Sequence, residues 1–226
     1  MCGRFNVIDN PELQRLLQEL GIDLGLPSRC NIAPTETIAM VRELEGNRQL
    51  VQVRWWLTPS WARQVDQKYA MFNARCESIA TSRAYAVPFK QRRGVVPVSS
   101  FIEWRNEEGA RQPYLIAARG EALALAAVWD RWQGKGETIE SCALVTTAAA
   151  PQFAQVHKRM PVVLTAVEQQ RWLDCGTELS AGDPLFEPRL KQALTVQAIS
   201  RQVNNARNKE LTVLQAEGEP LFLECD

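Results

Sequence analysis

The sequence predicts a mixed α+β domain built on a curled antiparallel sheet. Three observations carry this reading. Many short apolar runs have strand length, helical patterns sit between them without strict strand–helix alternation, and no Gly-rich phosphate loop marks a doubly wound parallel sheet. With 226 residues, 46% of them apolar, one domain spanning 1–226 has enough apolar side chains for a core. Lys plus Arg and Asp plus Glu balance at 26 each, so any anion site must be a local patch rather than a global field. No apolar run approaches the ~20 residues of a membrane span. Pro11, Glu12 and Gln14 fall where the apolar stretch of a signal peptide would lie. A cytoplasmic protein without membrane contact is expected.

Taken in order, residues 5–8 read as a strand. Asp9 or Asn10 caps a helix with Pro11 in its first turn; Leu13, Leu16, Leu17 and Leu20 form its apolar face, and Gly21 stops it. Residues 30–34 form a turn. Residues 37–44 and 48–55 make a hairpin around Glu45-Gly46-Asn47. Trp55, Trp56 and Trp61 cluster around Thr58-Pro59-Ser60. Residues 77–93 are helical in pieces, broken at Pro88, and 94–104 form a buried strand. Residues 113–118 and 122–129 suggest another hairpin, and 139–147 a strand. A helical turn at 151–156 leads to His157, then a strand at 160–164. Thr165 caps a helix with Glu168 as its capping-box partner. Residues 182–188 are loop, 190–194 a short helix and 195–199 a strand.

The stretch of greatest chemical interest is Met1-Cys2-Gly3-Arg4. Trimming of Met1 before the small Cys2 side chain would leave a terminal amine and a thiol on adjacent carbons. Their ordinary pKa values, about 7.7–8.0 and about 8.5, leave usable nucleophile near neutral pH. Such a 1,2-aminothiol can take one aldehyde through an imine to a five-membered thiazolidine, with ring closure helped by proximity. In a chain that keeps Met1, the Cys2 nitrogen is an amide; that form is expected to be an unreactive precursor. The other cysteines, Cys30, Cys76, Cys142, Cys175 and Cys225, are too scattered for a metal knuckle and read as reduced, mostly core-filling thiols. No metal or cofactor is implied.

Other residues could serve such chemistry. Glu103, in Phe101-Ile102-Glu103-Trp104, ends an apolar strand; half-burial would raise its pKa and make it a proton donor or acceptor, although a solvent-facing carboxylate fits the pattern equally. His157, the single histidine, is followed by Lys158 and Arg159, which suits an anionic ligand or a plain basic turn. Asn73 can grip a substrate or a terminal amine through donor and acceptor together. Arg75 and Arg83 can clamp phosphates, or act as helix-cap and surface pairs. Arg4 should share a strand face with Cys2 and depress its thiol pKa. Trp61, in a loop, can stack a base or cover core.

Together these stretches resemble the SOS response-associated peptidase (SRAP) family of abasic-site-processing proteins. The resemblance runs over nearly the whole chain. It rests on Met1 to Phe5, Asn31-Ile32-Ala33-Pro34, the 55–61 segment, Asn73-Ala74-Arg75-Cys76-Glu77, Phe101 to Trp104, Val145-Thr146, His157 to Pro161 and Val203-Asn204. It implies a β-barrel-like core flanked by helices, with one face that binds single-stranded DNA. It implies a covalent thiazolidine between mature Cys2 and the ring-opened aldehyde of an abasic site, shielding the lesion. By position, Asn73 would hold the Cys2 amine, Glu103 would shuttle protons, and His157 would position the lesion phosphate and assist proton transfer. Arg4, Trp61, Arg75, Arg83 and Arg159 would line the DNA channel, with Thr146 a lesser contact. Self-removal of Met1 would account for the peptidase name, and a monomer, at the nucleoid when DNA is damaged, would suffice. Trp56 stands where the family usually has Gly, and Ser99-Ser100 replaces a common small-residue pair ending in Gly, departures that bear on the DNA-facing loops more than on the chemistry.

Three other readings compete. A glutamine amidotransferase can also begin Met-Cys-Gly, but it needs a glutamine-gripping Arg together with Asn-Gly and Gly-Asp segments, a set this sequence does not present. A non-catalytic single-strand-binding module would bind intact and abasic DNA alike. A peptidase acting on other proteins would need a base–nucleophile pair that the sequence does not reveal.

Overall fold

The computed structural model describes residues 2–107 and 109–225. Met1, and with it the expectation of a precursor that keeps Met1, lies outside the described residues. Five strands close a barrel: β3 (Thr37–Leu44), β4 (Asn47–Arg54), β6 (Arg93–Val98), β9 (Leu123–Gly134) and β10 (Glu137–Ala148), in the cycle β9-β10-β4-β3-β6-β9. The closing pair, β10 with β4, is parallel at Ser141–Arg54, and the other neighbours in the cycle are antiparallel. Two short strands extend β10: β5 (Asn73–Arg75), parallel to it, and β11 (Arg159–Pro161), antiparallel. A second sheet runs β13-β12-β8-β7-β1-β2. Its members are β1 (Arg4–Val7), β2 (Arg29–Ile32), β7 (Ser100–Glu107), β8 (Ala110–Ala118), β12 (Leu194–Ala198) and β13 (Leu221–Leu223). The α+β class and the barrel-like core are as the sequence and its resemblance led one to expect.

One hydrophobic core joins residues from Cys2 to Leu223. Every residue of β6 is buried, as are the first eight of β9. Strands covered on both faces read as continuous apolar runs rather than as alternation. Four helices are described: α1 (Pro11–Glu19), α2 (Cys76–Ile79), α3 (Ala86–Gln91) and α4 (Ala166–Leu173). Asn10 caps α1 by accepting from the Leu13 N–H at 2.9 Å, and Leu13, Leu16 and Leu17 face the core. Gly21 leaves the helix at φ +76°, a left-handed conformation that suits glycine. The capping box of Thr165 and Glu168 opens α4 as expected.

Several local expectations are corrected. Residues 30–32 belong to β2, because pairing with β1 overrides their turn composition. Pro88 sits in the first turn of α3, where its missing N–H is not needed, so it does not break that helix. The 94–104 run is two strands parted at Ser99, whose hydroxyl accepts from the Ile8 N–H at 2.8 Å and donates to the Ile8 carbonyl at 3.1 Å. Ser100 accepts from Asn6 Nδ2 at 2.9 Å, so both serines staple β1 in place. The 113–118 and 122–129 runs are not a hairpin: β8 pairs with β7 and β12, whereas β9 pairs with β6 and β10. Residues 190–194 form no helix, and Leu194 already pairs with Ala118 as β12 begins. All six cysteines carry free thiols; Cys175 is half-buried and Cys225 exposed, while the other four are buried. Among the described residues no helix is long and apolar enough to cross a membrane.

Candidate functional site

β1 lies between β2 and β7, with Arg4 opposite Ile102 and Phe5 opposite Phe101. Continuing that antiparallel register brings Gly3 alongside Glu103. Cys2 is fully buried, and its Sγ lies 3.7 Å from the Arg4 carbonyl. Asn73 reaches it from the barrel side. Parallel pairing of β5 with β10 sets Asn73 opposite Leu144, and Asn73 Nδ2 donates to the Cys2 carbonyl at 2.9 Å. The Tyr85 hydroxyl in turn donates to the Asn73 backbone carbonyl at 3.2 Å. Asn73 Oδ1 is buried and has no hydrogen-bond partner among the described residues. The asparagine therefore grips the Cys2 carbonyl and keeps an acceptor to spare.

Glu103 projects from β7 and is 2% exposed. His157 ends the turns over 151–156 and places Nδ1 3.9 Å from Glu103 Oε1. The same nitrogen lies 2.9 Å from the Arg159 carbonyl and 3.0 Å from its N–H. A protonated Nδ1 can donate to the carbonyl and an unprotonated one can accept from the N–H, so the ring has a partner in either state. Burial pushes the Glu103 carboxyl above the usual carboxylate range, with His157 opposing. Burial and then the Glu103 charge push the Cys2 thiol far up.

The expectation that the Arg4 cation lowers the thiol pKa is corrected: burial outweighs the backbone bond of Arg4, which opposes the rise. The Arg4 carbonyl, not its guanidinium, touches the sulfur. The guanidinium donates to the Gly3 carbonyl at 3.1 Å and lies over the Trp104 ring, 5.7 Å from the centroid. A protonated thiol next to a carboxyl group is reactive only once a base takes its proton.

Gly3, Arg4, Phe72, Glu103, Trp104, Arg111, His157 and Asn204 line a cleft of about 370 Å³. A second, more apolar cleft of about 330 Å³ is lined by Trp61 and Arg83, with Pro59, Tyr69 and Met71 among its other residues. Trp61 is 52% exposed; its Nε1 donates to the Arg83 carbonyl at 3.2 Å, and the Arg83 guanidinium covers its ring at 4.1 Å. Arg75 is exposed at the end of β5. Thr146 is fully buried, and its hydroxyl accepts from Arg159 Nε at 3.3 Å, so it supports Arg159 rather than facing a groove. Arg159 itself makes a two-pronged pair with Glu77 at 2.8 and 3.0 Å. Sequence reasoning did not single out Arg111, Trp104, Phe72 or Asn204 as site residues. Trp104 and Asn204 lay inside recognised stretches, but Arg111 joins them only through the pairing of β8 with β7.

A closed barrel, a second sheet laid against it and a buried cysteine near a buried carboxyl define the class of fold and site. The family described as SOS response associated peptidase (SRAP) matches residues 1–206, and the chain belongs to that family. It is similar to the abasic site processing protein YoqW of Bacillus subtilis, 27% identical over 225 residues, 96% of this chain and 100% of that one. It is similar also to the abasic site processing protein YedK of Escherichia coli, 28% identical over 224 residues, 95% and 99% of the two chains. The match to the abasic site processing protein HMCES of Xenopus tropicalis is 31% identical over 188 residues, covering 72% of this chain and 56% of that protein. Among solved structures, a Bordetella bronchiseptica protein shares the fold with a TM-score of 0.72 at 22% identity, over 88% of this chain and 100% of that one. A Bacteroides thetaiotaomicron protein does so at 0.71 and 23%, over 81% and 82%.

Proposed function

We propose that this chain processes abasic sites in single-stranded DNA by forming a thiazolidine between the processed Cys2 terminus and the ring-opened sugar aldehyde. The observation that carries the reading is the arrangement of Asn73 on the carbonyl of the buried Cys2, with the Glu103 carboxyl acting on its thiol and His157 3.9 Å from that carboxyl, Glu103 and His157 lining the cleft beside them. Once Met1 is removed, the spare Asn73 Oδ1 accepts an N–H of the new amine and aims its lone pair at the aldehyde. Amine addition gives a carbinolamine, and the protonated form of Glu103, which burial favours, gives its proton to the departing hydroxyl. Water leaves and an iminium remains. The resulting Glu103 carboxylate takes the thiol proton as sulfur attacks the iminium carbon. The ring closes with its N–H retained, one water is released per aldehyde, and Glu103 is protonated again. His157 hands protons to Glu103 and faces the lesion phosphate. Arg4, Arg75, Arg83 and Trp61 hold the strand, with Arg159 and its Thr146 support at the edge of the same face.

The test is a denaturing gel with processed protein and a single-stranded oligonucleotide containing one abasic site. A heat-stable adduct is expected, and Cys2→Ala abolishes it. A stable adduct from Cys2→Ala refutes the mechanism. Mass spectrometry of the active protein should find Cys2 as the first residue; retained Met1 in the crosslinking species refutes the amine's role. Ammonia release from glutamine, rather than any adduct, would point to the amidotransferase reading.

A further inference from the structure

We propose that Arg111 acts with Arg4 over the ring of Trp104 to hold one backbone phosphodiester of the strand next to the lesion. This rests on the reading of the cleft as a single-strand site. Both guanidiniums lie over the same indole, Arg4 at 5.7 Å and Arg111 at 5.5 Å from the ring centroid. Both residues line the cleft that holds Glu103 and His157. Neither makes a salt bridge with a carboxylate among the described residues, and the buried Arg4 Nε has no hydrogen-bond partner there. Burial lowers the Arg4 pKa, Glu36 opposes, and the nearby Arg111 charge adds to the lowering. Two like charges gathered at one cleft without a carboxylate pair call for an anion, and a guanidinium pair suits the oxygens of a phosphodiester.

The indole between these charges is fixed. Trp104 Nε1 donates to Asn204 Oδ1 at 2.6 Å, and Asn204 Nδ2 donates to the Arg111 carbonyl at 3.4 Å. The segment carrying Asn204 is in turn held by Asn31, whose Nδ2 donates to the carbonyls of Val203, Asn205 and Asn208 at 3.1, 3.0 and 3.0 Å. Asn31 sits at φ +51°, a left-handed conformation that asparagine tolerates better than most residues. An aromatic ring held in place beside two cations fixes where they meet a phosphate.

The experiment measures binding without the covalent step. A Cys2→Ala chain is titrated with single-stranded oligonucleotides containing one tetrahydrofuran abasic analogue, and each linkage near it is replaced in turn by a neutral methylphosphonate. Arg111→Gln, at an exposed position, should weaken binding about tenfold, a shift within the range of one charged contact. It should also reduce the salt slope by about 0.7. One methylphosphonate linkage should weaken the Arg111-containing chain by at least a similar factor and weaken the Arg111→Gln chain by a clearly smaller one, since Arg4 still meets that phosphate. Arg111→Lys should recover most of the salt slope. Equal binding by Arg111→Gln, or losses from the substitution and from every methylphosphonate that multiply, would overturn the proposal. Because no adduct is needed, loss of crosslinking chemistry with the binding pattern intact would count against the thiazolidine reading alone.

Discussion

Arg93 opens β6 and Arg4 opens β1, and the protein treats these two arginines in opposite ways. Arg93 is 2% exposed, and its guanidinium donates to the carbonyls of Trp172 at 2.6 Å, Phe89 at 3.2 Å and Thr177 at 3.0 Å, and to that of Asp174. It ties the ends of α3 and α4 to the barrel with its hydrogen-bonding capacity spent on backbone. Among the described residues the Arg4 side chain makes one hydrogen bond, to its neighbour's carbonyl, and leaves a buried Nε without a partner at a cleft. Asn73 repeats the second pattern with its spare Oδ1. A saturated buried polar group holds a fold, whereas one left short of partners next to a cleft has capacity for a ligand.

The sharpest way to break this contrast is at Arg93. Arg93→Met leaves four carbonyls without their donor and should lower unfolding free energy by about 3–5 kcal/mol. Arg4→Met should lower it by about 1 kcal/mol or less. Denaturant titrations of the two variants read this directly, and similar losses would end the distinction.

Glu103 comes next. Glu103→Gln should slow crosslinking about 10²-fold while the protein stays folded, the size of a lost general acid–base group. Its stability effect has a definite sign. The folded Glu103 pKa is raised, so the fold binds that proton more tightly than the unfolded chain does. The contribution is fully present below the ordinary carboxylate pKa and is lost as pH rises through the raised folded value. The stability of the parent relative to Glu103→Gln should therefore fall across that window, and denaturant midpoints measured at several pH values test it.

Asn73→Ala should slow crosslinking about tenfold through a misplaced Cys2 and remove about 1 kcal/mol of stability, one hydrogen bond's worth. Single-turnover rates and melting curves separate the two effects. The smallest effect is expected at Glu77, whose carboxyl Arg159 holds below its usual range. Glu77→Gln should change stability by about 0.5 kcal/mol or less, because that side chain is half exposed. The gap between parent and variant should close as pH falls through the depressed Glu77 pKa. The same substitution releases Arg159 and should tighten single-strand binding in a filter or anisotropy assay.

What could be read along the chain was local or contiguous. Asn10 with Leu13, Leu16 and Leu17 specified α1, Thr165 with Glu168 specified the start of α4, and Glu45-Gly46-Asn47 marked the β3–β4 hairpin, because caps, faces and turns act within a few residues. The cysteine at position two, with its potential aminothiol, was equally open to inspection. Strand allegiance was not. β8 and β9 look like a hairpin in sequence and go to different sheets, since which strand buries a face depends on partners far along the chain. Likewise the fully buried Cys2, its grip by Asn73 and the meeting of Trp104 with Arg111 and Asn204 exist only after the sheet closes on the barrel. The sequence by itself determined which reactive groups the protein owns. Tertiary structure decided which of them lose water together, and desolvation, which depends on every surrounding element, is what raises Glu103 and keeps the thiol protonated.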